Sequence, residues 1–201
     1  MCQPRAHSRS STSPRLWGKR VARRRILLDA CVAINLAATD SLEQIAATLD
    51  ATFVVAAQAA SETGYLRDTV DGQAVLTPID LGRFEASRAV EIAELRPVEL
   101  DRYLELAALV DDGEAATIAI AIERGLEMAT DDRRARRLCQ DRGLAEPLPT
   151  TVLLRGYADR AGLTDSQVRE TIALVRDRAS FQPPRTDPER KWWDDHAQGS
   201  L

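Results

Sequence analysis

Short apolar runs alternate with amphipathic stretches along this chain. Arg25-Ile26-Leu27-Leu28 is too short for a helix and stops on Asp29, which predicts a buried strand over 25–28. Residues 30–38 read as a helix with Val32 and Leu36 turned inward. Ser41, with Glu43-Gln44 behind it, predicts a capped helix whose Leu42, Ile45, Ala46 and Leu49 share one face. Thr52-Phe53-Val54-Val55 is a second buried strand. Residues 57–66 read as helical, carrying Glu62 and weakened by Gly64. The pattern is poorest over 70–100, where 74–79 suggests a strand and 89–95 fits either strand or helix.

Past Pro97 a helix is predicted over 99–109. Asp111-Asp112-Gly113-Glu114 opens the clearest helix, which Gly125 ends. Leu126 to Thr130 is a short strand running into Asp131-Asp132, and a basic helix follows to Arg142. Thr150 or Thr151 is placed to cap a helix reaching Ala161, and Thr164 another reaching about Ala179. The remaining tail is Pro-rich with a polar end. Alternating strands and helices predict an α/β fold with a mostly parallel sheet. The expected organisation is a disordered basic leader over 1–24, a domain over 25–180 and a C-terminal tail over 181–201.

Charge sharpens this picture. The net charge of -4 conceals a basic head: residues 1–25 hold eight Lys or Arg and no acid, so the other 176 carry 19 basic and 31 acidic residues, a net of -12. The head followed by ILL and ACVAINLAA imitates a secretion signal, but Asp29 inside the apolar stretch argues for strand and helix instead. No apolar run approaches the roughly 20 residues that span a bilayer. Cys2, Cys31 and Cys139 have neither metal-type spacing nor an even count, which suits a reducing compartment. A cytoplasmic protein without membrane contact is the expectation.

Asp29 and the pair Asp131-Asp132 follow directly from apolar strands, so they fall on one rim of a parallel sheet. Glu114 lies in the first turn of its helix, and Glu62 on the helix after the second strand. Singly, each has a plainer explanation: Asp29, Asp111 and one of Asp131 and Asp132 suit helix caps, and Glu62 an ordinary surface acid. Gathered together, carboxylates repel and raise one another's pKa unless a cation joins them. Mg²⁺ or Mn²⁺ prefers such oxygen donors and can assist phosphodiester hydrolysis.

Other chemistries lack their parts. The two lysines, Lys19 and Lys191, stand outside the body, and no GxxxxGK[ST] loop exists, which excludes a P-loop nucleotidase. The same shortage removes a receiver-type phosphorylation domain, which needs a lysine near its acids. Cys31 stands where an Asp-x-Asp phosphatase needs its second acid. His7 and His196 are confined to the tails, so histidine triads and zinc sites are not expected. No Gly-rich dinucleotide fingerprint is present.

Four pieces in order, ILLDACVAINL, AASETGYL, DDGEAATIAIA and ATDDRRARRL, resemble PIN-domain nucleases over about residues 25–145. The resemblance implies a three-layer α/β/α sandwich and a Mg²⁺- or Mn²⁺-dependent ribonuclease. Many relatives are toxins of toxin–antitoxin pairs, which makes RNA the implied substrate and an antitoxin protein and a second copy of the chain candidate partners. Asp29, Glu62 and Glu114 match the family's first three acids, and Asp131 or Asp132 the fourth. Asp29, Glu114 and Asp131 are taken as metal ligands, with Glu62 a ligand or an orienter of water. Asp132 supports them, and Thr130 orients a carboxylate or water. The implied reaction is in-line attack of water on phosphorus, leaving a 5′ phosphate and a 3′ hydroxyl. Arg133, Arg134, Arg136 and Arg137 beside the site read equally as contacts to the phosphate backbone or as a solvated face paired with Glu123 and Glu127. Trp192 and Trp193 fit packing onto the body better than base stacking. A non-catalytic binding module on the same fold, and a nuclease acting on DNA, are the alternatives.

Overall fold

The computed structural model describes residues 23–197. The basic leader expected over 1–24 therefore lies outside the described residues up to position 22. The chain opens with β1 (Arg24–Leu28), α1 (Ala30–Ala38), α2 (Leu42–Thr48), β2 (Ala51–Ala56) and α3 (Ala57–Ser61). A hairpin of β3 (Tyr65–Val70) and β4 (Gln73–Pro78) follows, then β5 (Val90–Ala93), α4 (Leu100–Ala107) and α5 (Asp112–Arg124). The last elements are β6 (Glu127–Ala129), α6 (Arg133–Asp141), α7 (Thr150–Ala161), α8 (Asp165–Arg178) and α9 (Arg190–Ala197).

Four strands form a parallel sheet in the order β5-β2-β1-β6. Ile26, Leu27, Leu28, Phe53, Val54 and Val55 are wholly buried because helices cover both faces. Each such side chain contributes roughly 1.5–3 kcal/mol relative to its exposed state. On one face α5 packs across β1, β2 and β6, with α3 and α4 against it; on the other lie α1 and α2, with α7 and α8 behind them. The result is the expected three-layer α/β/α sandwich.

Register aligns the strand ends. Leu28 pairs with Val55 on one side and with Ala129 on the other, so Asp29, Ala56 and Thr130 begin one common rim. The connection from β1 leads to β2, while β6 sits on the opposite flank of β1. The crevice between β1 and β6 is therefore the topological switch point, where parallel α/β sheets place their ligands.

The region after β2 departs from expectation. The helix expected over 57–66 stops at Ser61, because the Thr63 hydroxyl occupies the Ala60 carbonyl at 2.8 Å and Gly64 adopts φ +59°. Residues 65–78 then form a hairpin turned by Asp71-Gly72, both with positive φ. Of residues 89–95, Val90–Ala93 resolve as strand. Ser41 occupies the N-cap position of α2 without a side-chain capping bond. Pro149 rather than a threonine precedes α7, while Thr164 caps α8 with a capping box completed by Gln167.

The tail is part of the packed body. Trp193 is fully buried on α9 and meets Phe181 edge-on at 5.4 Å between ring centres. Cys31 and Cys139 are free thiols. Among the described residues, no helix is long and apolar enough to cross a membrane.

Candidate active site

Asp29 stands where β1 becomes α1. Its backbone N–H binds the Ala129 carbonyl at 3.0 Å, which locks it to β6. Its side chain is 5% exposed and accepts three bonds: Ala30 N–H at 2.7 Å, the Thr130 hydroxyl at 2.9 Å and the Cys31 thiol at 3.1 Å. It thus caps α1 and heads the rim at once. Burial pushes its carboxyl above the usual range, against the lowering by these donors, with Asp111 adding to the rise. Burial and the charges of Asp29 and Asp131 also push the Cys31 thiol up, so sulfur stays protonated and the rim offers only oxygen donors.

Helix α5 brings the next acids. Asp111 caps it, accepting from Glu114 N–H at 2.8 Å. Glu114 in its first turn is pushed up to about 7 by burial and by Asp111, Asp29 and Asp132, with Arg134 pulling the other way. Glu62 is not on its helix as expected but just beyond the end of α3. It accepts Gly113 N–H at 3.1 Å, and its pKa is raised by burial and by Asp111, Asp29 and Asp112. A Cβ on residue 113 would lie 2.7 Å from Glu62 Cδ, so glycine there is what lets Glu62 lie over the start of α5.

The two acids after β6 separate. Asp131 is bonded into α1 and α7: Oδ1 accepts Thr150 N–H at 2.9 Å, while Oδ2 accepts the Thr150 hydroxyl at 2.6 Å and Asn35 Nδ2 at 3.1 Å. Both its oxygens are engaged in tying β6 to α1 and α7. The expectation had Asp131 facing the other acids with Asp132 in support; here both Asp131 oxygens already have partners. Successive residues leaving a strand point to opposite sides, and Thr150 takes Asp131. Asp132 caps α6 through Arg134 and Ala135 N–H, and its charge reaches Glu114. Thr130 holds the junction, donating to Asp29 and accepting Asp132 N–H at 3.1 Å.

The arginines divide as well. Arg133, Arg134 and Arg137 are exposed, whereas Arg136 is half-buried on Glu146 at 2.7 Å. Glu123 and Glu127 pair with Arg102 and Arg24, not with α6. Asn35, Asp111 and Gly113 contribute to the site and were not singled out for it; only the Gly-Glu step at 113–114 hinted at close approach.

The rim is therefore Asp29, Glu62, Asp111, Glu114 and Asp132, with Arg134 the cation that lowers the Glu114 pKa. Among the described residues, no three Asp, Glu, His or Cys side chains close on a single point as they stand. The donor set suits a hard divalent ion, which takes oxygen ligands and keeps several waters. The Glu62–Gly113 cradle and the raised carboxyls mark where positive charge is lacking.

A family model described as the PIN domain matches residues 25–185. The chain belongs to the PIN-domain family. PIN domains are in general nucleases, hydrolases that typically use divalent metals. Comparison with curated proteins and with solved structures returned no match.

Proposed function

We propose that this protein is a Mg²⁺- or Mn²⁺-dependent endoribonuclease. The observation that supports this reading most is the uncompensated carboxylate rim at the β1–β6 switch point. Asp29, Glu114 and Asp132 would hold the ion, with Glu62 as a further ligand or as the acceptor that orients the attacking water. The bound ion supplies charge neutralisation on the phosphoryl oxygens and a more acidic water.

The chain's own residues do the rest. Thr130 fixes the Asp29 carboxylate, and Gly113 N–H fixes Glu62. Water attacks phosphorus, the P–O3′ bond breaks, and the proton passes to the 3′ oxygen. The products are a 5′ phosphate and a 3′ hydroxyl. Arg133, Arg134 and Arg137 lie exposed on the first turns of α6, where they meet the RNA strand, Arg134 and Arg137 at its phosphates, and make binding salt-dependent.

The test is cleavage of an RNA in Mn²⁺ by the wild type and by Asp29→Asn, with DNA of the same sequence as control. RNA is cut by the wild type and not by the variant. Equal rates in the two overturn the metal-site reading, and preferential cutting of DNA overturns the substrate. An antitoxin partner belongs to the same proposal and is tested by neutralisation of the RNase by the product of an adjacent gene.

A further inference from the structure

A second concavity is lined in part by Asp131. It encloses about 220 Å³ between the start of α6 and the segment 184–188 that leads into α9. That volume is below the roughly 300–1,000 Å³ of sites for drug-sized ligands and suits one planar ring system. The wall from the tail is firmly built. The Asp187 side chain is 8% exposed, and its Oδ1 accepts the Thr151 hydroxyl at 2.7 Å and Glu189 N–H at 2.8 Å. Asp187 N–H binds the Pro184 carbonyl at 3.0 Å, and the buried Trp193 anchors the helix that follows.

The lining combines three functions. Pro149, Pro184 and Pro188 offer flat, rigid apolar faces. Arg133 and Arg136 reach it from α6; Arg136 is already paired with Glu146, which also lines the cavity, whereas among the described residues no acid pairs with Arg133. Asp187 brings an acceptor, since no hydrogen bond among the described residues reaches its Oδ2. A ligand here must be flat, donate on one edge and accept on another. Guanine does both: N1–H and N2–H₂ are neighbouring donors, and O6 and N7 match an arginine fork. On adenine and cytosine, the Watson–Crick nitrogen beside the amino group is an acceptor, which a carboxylate repels.

We propose that this cavity takes an unpaired guanine of the RNA strand beside the scissile phosphate, with Asp187 reading its Watson–Crick edge and Arg133 reading O6 and N7. The proposal rests on the ribonuclease reading for its substrate and adds the base that sets the cut.

Two measurements on the full chain test it. In chelator, so that no metal is needed, guanosine 5′-monophosphate is titrated beside the adenosine, cytidine and uridine nucleotides and inorganic phosphate. Guanosine nucleotide binds about tenfold or more tightly than the others, and Asp187→Asn removes that preference because a donor replaces the acceptor. Should Asp187→Asn fail to fold, Arg133→Ala, at an exposed position, weakens guanosine nucleotide binding about fivefold or more instead. Equal affinity for all four bases, displacement by phosphate alone, or no binding overturns the subsite. In Mn²⁺, cut positions map at a fixed offset from guanine in the wild type and lose that register in Asp187→Asn. Guanine binding without cleavage removes the ribonuclease and leaves the subsite. Cleavage without guanine register does the reverse.

Discussion

The two ends of α5 treat carboxylates in opposite ways. At its C-terminal end, Glu99 is 1% exposed and meets Arg124 at 2.7 Å and 2.9 Å, with Arg124 also donating to the Glu94 carbonyl. The Arg124 guanidinium holds the Glu99 carboxyl below its usual range, and the cation suits the negative end of the helix dipole. At the N-terminal end, Asp111, Glu114, Glu62 and Asp29 crowd one another and their carboxyls are pushed up where a shift is seen. The same helix pairs an acid where pairing holds the fold together and leaves acids unpaired where the sheet opens. Helix dipole and caps offset part of that cost, but only a bound cation offsets the mutual repulsion.

Breaking the paired end has the largest effect. Glu99→Ala leaves a buried guanidinium alone and lowers unfolding free energy by about 3–5 kcal/mol in a urea titration. Glu114→Gln, the matching change at the open end, leaves stability in chelator unchanged or higher. If both variants lose stability alike, the contrast between the two ends is wrong.

Gly113→Ala separates function from stability. The atoms nearest the new methyl all belong to the carboxylate end of Glu62, which can swing aside, so the melting temperature hardly moves. Displacing that carboxylate lowers the rate of RNA cleavage about a hundredfold. Activity equal to wild type would remove Glu62 from the site.

The adjacent acids after β6 give a third test. Asp131→Ala strips three bonds from Thr150 and Asn35 and costs about 2 kcal/mol, while the folded fraction keeps its activity. Asp132→Ala costs about 1 kcal/mol as a lost cap and abolishes cleavage. The reverse pattern would restore Asp131 as the ligand.

The smallest effect is on pH. Glu114 sits at about 7 in the fold against an ordinary 4.5, so the folded state holds its proton more tightly than the unfolded chain. Its contribution is complete below 4.5 and is lost as pH rises through 7. Because the group is only partly buried, solvent screening reduces the effect to about 1 kcal/mol. Denaturation in chelator should show this fall, and saturating Mn²⁺ should abolish it.

Much of this was legible in the sequence for definite reasons. The runs RILL and TFVV are buried on both faces and announce themselves as parallel strands, and α5 carries its cap, its small-residue face and its terminal glycine in plain order. Of the hairpin, β4 was read as a strand over 74–79, but β3 was not, because its start at Tyr65 was read as the end of a helix reaching 66, although Asp71-Gly72 names the turn. The choice between Asp131 and Asp132 depends on Thr150, nineteen residues on, which no local pattern reveals. The packing of Trp193 was foreseen, but not that the segment before it walls a cavity beside the rim.

The central claim is that the unpaired rim is a divalent-cation site. Its most direct test is Mn²⁺ titration at neutral pH, followed by calorimetry and melting temperature, on the wild type, Asp29→Asn and Glu114→Gln. Saturable binding that raises the melting temperature of the wild type and is lost in both variants is the result expected. No binding to the wild type, or the same binding in all three, would contradict it.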